Sequence, residues 1–124
     1  YSGTFAMMRH TAIYENETDR QAALGALRHT LGQFGNLMQK KGEVINGFPE
    51  RVPNDQLDGN MRYDPETLEE NLMFGSVEQA KEKLTAYRDL GVDAFIYYAS
   101  MGLDMETQKR SLSRFIDRVM PHFA

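Results

Sequence analysis

The side chains able to do chemistry fall in three places. His10, His29 and His122 are the histidines, and their positions show no metal-ligand spacing. A structural or solvated role is the ordinary expectation for each; only His10, inside an extended segment, is placed to serve as a catalytic base. Tyr97, Tyr98 and Ser100 close an apolar run and could meet a ligand at the end of a strand. Gly75 and Ser76 open a helix, where free backbone N–H groups and the helix dipole could cradle an anion such as a phosphate. The plainer role for Ser76 is to cap that helix.

Composition narrows the chemistry. The 124 residues include no cysteine, which removes disulfides, Cys-ligated zinc and thiolate nucleophiles. A formal charge of −4 argues against a nucleic-acid groove binder, which carries a basic stripe. No apolar run approaches the roughly 20 residues of a membrane helix. The start, Tyr1-Ser2-Gly3-Thr4, has neither the basic segment nor the apolar stretch of a signal peptide, so a cytoplasmic location is expected. The absence of an initial methionine fits a piece of a longer polypeptide.

These residues need elements to hold them. Phe5 to Tyr14 reads as a strand, without Gly or Pro and with β-branched and aromatic residues in its second half. Thr18 and Gln21 form a candidate capping box for a helix bearing Ala23, Leu27, Leu31, Phe34 and Met38 at helical spacing. Gly25, Gly32 and Gly35 weaken that helix and suggest close approach to another element. Lys40, Lys41 and Gly42 suit its end. From Glu43 to Tyr63 turn formers dominate, and a loop of that length in a compact domain is expected to be a mobile functional segment. Asp64-Pro65-Glu66 can start a short helix.

The last third is the most regular. Ser76 and Gln79 form a capping box, with Val77, Ala80, Leu84, Tyr87 and Leu90 as one stripe and Gly91 as the stop. Val92 to Tyr98 is a nearly continuous apolar run, as in a parallel strand buried on both faces. Asp104 caps a final helix with Leu112, Phe115, Ile116 and Val119 on one face and Pro121 near its end. Alternating strands and helices predict parallel pairing. Two parallel strands alone make no stable sheet, so the chain either oligomerises or belongs to a larger barrel or sheet.

Three stretches, Phe74–Ala80, Tyr87–Phe95 and Ser111–Pro121, together resemble the C-terminal signature of the luciferase-like flavin-dependent monooxygenase family. That signature runs through a Gly-Ser/Thr-Pro-Glu turn, a helix, a Gly-Val-Asp lead into a strand, and a last helix ending in Val-x-Pro. Val77 stands here where the family often has Pro. Arg9–Ala22 is similar, more loosely, to the family's preceding strand and acidic helix start; the loop shows no likeness.

The resemblance implies an α/β fold that is the C-terminal portion of a (β/α)8 TIM barrel, whose full length is about 250 residues or more. It implies a parent enzyme that uses reduced flavin (FMN, or a deazaflavin) and dioxygen to oxygenate a small organic substrate, with a flavin reductase as partner. Gly75 and Ser76 then become cofactor-binding candidates, and Tyr97, Tyr98 and Ser100 flavin- or substrate-proximal ones at the barrel mouth. Alternation sends Tyr97 and Tyr98 to opposite faces, and Tyr97, with Phe95 below it, is the one expected to point into the mouth. The isolated piece should be inactive, and a homo-oligomer is expected, with Phe5–Ile13 as the contacting edge. The alternative is a non-enzymatic α/β module that homodimerises through its sheet edges.

Overall fold

A computed structural model describes residues 2–39, 42–99 and 102–124. Among these, β1 (Ala6–Ile13) leads into α1 (Glu17–Gln39), and α2 (Pro65–Asn71) leads into β4 (Met73–Gly75). Then follow α3 (Val77–Asp89), β5 (Ala94–Tyr98) and α4 (Met105–Arg114), which runs on through a wider π-helical turn at Phe115–Val119. Between α1 and α2 lie a small hairpin, β2 (Val44–Ile45) and β3 (Phe48–Pro49), and two 3₁₀ turns.

β1 pairs in parallel with both β4 and β5, giving the order β4-β1-β5. This corrects two expectations. Phe5–Ile13 is the central strand, so the free edges belong to β4 and β5. An arc of a (β/α)8 barrel would instead run β1-β4-β5. The three residues of β4 were not foreseen as a strand; they pair with Thr11–Ile13, and Gly75 O also accepts from Tyr14 N. The α3 crossover then carries the chain over β1 to its other edge, so both short strands use the longest one.

Side-chain alternation divides the core in two. Ile13, Met73, Phe95 and Tyr97 face α3 and α4, packing with Val77, Ala80, Leu84, Phe115 and Val119. Ala12 and Phe74 face the other way, against Ala23, Leu24 and Leu27 of α1 and Leu68 of α2. On α4 and its continuation the buried positions are Thr107, Ser111, Phe115 and Val119. Steps of four overshoot an α-helical turn by about 40°, and the wider turn at the end returns Val119 to the sheet. Leu112 and Ile116, expected inward, are exposed and line a groove of about 670 Å³ beside β5. The face of α1 also departs from expectation: Ala23 and Leu27 are buried, but Phe34 and Met38 are exposed.

The caps follow the expected chemistry with one shift. Ser76 accepts from Gln79 N while the Gln79 side chain accepts from Ser76 N, so the box at α3 is complete. Asp104 accepts from Thr107 N at α4. At α1 the cap is Asn16, whose side chain accepts from Asp19 N at 2.8 Å, rather than Thr18. The segment from Glu43 to Tyr63 buries Val52, Leu57 and Tyr63 against Leu31 of α1. Gln33 donates to Val52 O and accepts from Val52 N. Gly32 permits this approach, since a Cβ there would lie 2.6 Å from Leu57 Cδ1. The lysines expected at the end of α1, Lys40 and Lys41, lie outside the described residues.

Candidate active site

The register of β1 on β5 decides which side chains meet. Met8 lies opposite Ile96 and His10 opposite Tyr98, so all four share the face that α1 covers only farther along, at Ala12 and Phe74. Met8, Ile96 and Tyr98 are exposed. The His10 and Tyr98 rings stack with centroids 4.6 Å apart and planes tilted by 34°. Partial burial lowers the His10 pKa from its ordinary 6.5, which favours the neutral ring. Its Nδ1 is buried and has no hydrogen-bond partner among the described residues. An imidazole held against Tyr98 beside an open aromatic and apolar strip suits a flat ligand.

Tyr97 does not belong to this surface. Its hydroxyl lies 2.6 Å from Ser111 Oγ and its ring meets Phe115 edge-on at 5.1 Å; burial pushes its pKa up. Ser111 Oγ also accepts from Ile13 N at 2.8 Å. The expected orientation is thereby reversed: Tyr97, with Phe95, packs under the helices, and Tyr98 takes the open face. Helices cover the odd-numbered side chains of β5 because α3 and α4 both return across that face. Ser100 lies outside the described residues.

At Gly75-Ser76 the hydroxyl and the N–H of Ser76 are both engaged by Gln79. Gly75 has φ 149°, and a Cβ there would lie 2.7 Å from Gln79 Oε1. The glycine is explained by the capping box alone. His29 sits near Asn54 and Arg51, each at 3.4 Å, and His122 stacks on Phe123; neither approaches His10. Among the described residues no group of three or more His, Asp or Glu is arranged to hold a metal ion.

Two polar clusters escaped the sequence reading because their partners are remote in the chain. Asp19, buried at the start of α1, receives Arg110 at 2.8 Å and Arg114 at 3.2 Å. Hydrogen bonds from Arg110, then Arg114, hold its carboxyl below the usual range against the opposing effect of burial. Glu15 adds contacts to Arg114 and Arg118. In the second cluster Arg20 grips Glu69 through Nε at 2.6 Å and Nη2 at 2.8 Å, and the Tyr14 hydroxyl donates to Glu69. Lys83 Nζ donates to the carbonyls of Glu69, Leu72 and Phe74. These clusters brace the strand ends and leave no group free for chemistry.

The site is thus a parallel α/β sheet with one partly open face carrying a histidine and a tyrosine. Along 118 residues, 95% of its length, the chain is 27% identical to the oxygenase component of a flavin-dependent trigonelline monooxygenase from Acinetobacter baylyi. It spans 33% of that relative's length. No family model and no solved structure matches the chain. No helix among the described residues is long and apolar enough to cross a membrane.

Proposed function

We propose that these residues are the C-terminal part of the oxygenase of a flavin-dependent monooxygenase. The reading is carried by the collinear similarity to an oxygenase component across 95% of the chain, and it is supported by the chemistry of the open face. That face fits a flavin or the substrate beside it: Met8, Ile96 and Tyr98 offer apolar and aromatic surface, and the His10 ring lies against Tyr98. Reduced FMN, when bound, supplies the electrons that activate dioxygen for transfer to an organic substrate. A partner reductase delivers it, as the relative's designation as a component implies.

Within this reading Tyr98 stacks against the bound ring system and excludes water from one side of it. The His10 imidazole lies against the Tyr98 ring and steadies it beside the ligand. Gly75 and Ser76 keep the α3 start rigid and are not assigned to the phosphate.

The test uses the polypeptide from the complete reading frame. Anaerobic titration with reduced FMN and with candidate substrates should give saturable binding by fluorescence. Tyr98→Ala should weaken one of them by about tenfold, and His10→Ala, which removes the ring that Tyr98 packs on, should weaken the same one. Absence of flavin binding by the complete polypeptide sinks the reading. Unchanged affinities in both variants sink the assignment of the site alone.

A further inference from the structure

Among the described residues, the open sheet face carries one thioether, that of Met8. Alternation puts Met8 on the same side as His10, two residues and about 7 Å along β1, and its register partner across the sheet is Ile96. The side chain is 52% exposed. In a chain without cysteine a thioether is the most readily oxidised group on offer, and its unbranched stem can swing toward a ligand stacked on Tyr98. Two other methionines separate position from exposure. Met7, next in the chain, lies opposite Phe95, on the side that the helices cover. Met120 matches Met8 at 51% exposed but lines the groove beside β5, on that same covered side.

We propose that Met8 is a site of self-oxygenation, its sulfur taking the oxygen atom when no organic substrate occupies the open face, an inference that rests on the flavin reading of that face. The lone pair on sulfur makes the new S–O bond with one atom of dioxygen, and the other atom leaves as water. The two electrons and two protons come from the reduced flavin, which ends oxidised. Met8 loses no group, and no further reagent is needed. The product, methionine sulfoxide, is polar and chiral where an apolar stem stood. It therefore leaves a lasting record of turnover without substrate, beside the ring on which a flat ligand stacks.

The complete polypeptide is incubated with reduced FMN, isotopically heavy dioxygen and catalase, without organic substrate. Catalase destroys free peroxide, so heavy sulfoxide reports oxygen delivered at the site. A parallel sample receives dilute hydrogen peroxide and no flavin, which oxidises methionines by exposure alone. Tandem mass spectrometry of the peptides separates Met7 from Met8. The ratio of Met8 to Met120 oxidation should be at least about tenfold higher with flavin than with peroxide, and Met7 should stay unlabelled with flavin. Equal ratios under the two treatments overturn the proposal. So does a Met8 that resists both, since another part of the polypeptide then covers it. Reduced FMN that binds in fluorescence titration yet leaves Met8 unlabelled removes this proposal alone. If FMN does not bind at all, the flavin reading and this proposal fall together.

Discussion

One oxygen atom, Ser111 Oγ, serves the Ile13 N–H and the Tyr97 hydroxyl together. Ser111→Ala leaves the N–H without that acceptor and should cost about 1–3 kcal/mol in urea unfolding. Tyr97→Phe should cost nearer 1 kcal/mol, and the double variant less than the two added, because they share a bond. Asp19 is the other residue whose removal should be felt. Asp19→Asn removes the charge facing Arg114, whose side chain is 16% exposed and stays held by Glu15 and Ile13 O, while Arg110 at 48% can turn to water, so a loss of about 1–2 kcal/mol is expected. The sign of the pH effect follows from a folded-state pKa below the ordinary 3.8. The contribution is fully present above that value and is lost as pH falls through the lowered one. Acid titration of stability should therefore show a limb below about pH 4 that the Asn variant lacks.

At the scale of elements, glycine contrasts test the packing. Gly75→Ala meets Gln79 in the capping box and a φ of 149°, and should cost about 1–3 kcal/mol. Gly25→Ala, on an open stretch of α1 with nothing within 4 Å, should gain about 0.5–1 kcal/mol; thermal melts compare the two. Caps and periodicity made α3, α4 and the two longer strands legible because those signals are local. β4 was hidden because three residues carry no period and its pairing is set by β1, some 60 residues earlier. The segment from Glu43 to Tyr63 looked structureless because its anchors, Val52, Leu57 and Tyr63, find their partner in Leu31 of α1 rather than in one another's spacing. The His10–Tyr98 contact needed the β1–β5 register, which no pattern in either strand specifies, and without that register the open face went to Tyr97.

For the molecule as a whole, the uncovered surfaces are the informative ones. One sheet face is open at Met8, Ile96 and Tyr98, the outer edge of β5 is unpaired among the described residues, and an apolar groove runs beside it. A barrel would cover all three. It would also require β4 to lie between β1 and β5, so a structure of the complete polypeptide is decisive at this scale. The order β4-β1-β5, which brings His10 against Tyr98, is expected there. An order β1-β4-β5 would instead fit the barrel and sink the His10–Tyr98 site, while leaving flavin binding to be judged separately.

Lys83 is a rivet whose head is hidden: one ammonium group holds the last turn of α2, the link after it and the middle of β4 through three carbonyls. Burial lowers its pKa, which by itself makes the amine a better nucleophile toward acylating reagents. Geometry opposes this, for the nitrogen must leave all three carbonyls before it can react. Its acetylation rate is therefore a clock for the local opening of the α2–β4 junction. Lys109, on an exposed face, provides the unprotected reference. Mass spectrometry of briefly acetylated protein should find Lys83 modified at least about tenfold more slowly than Lys109. Equal rates would mean that the junction opens as freely as the surface.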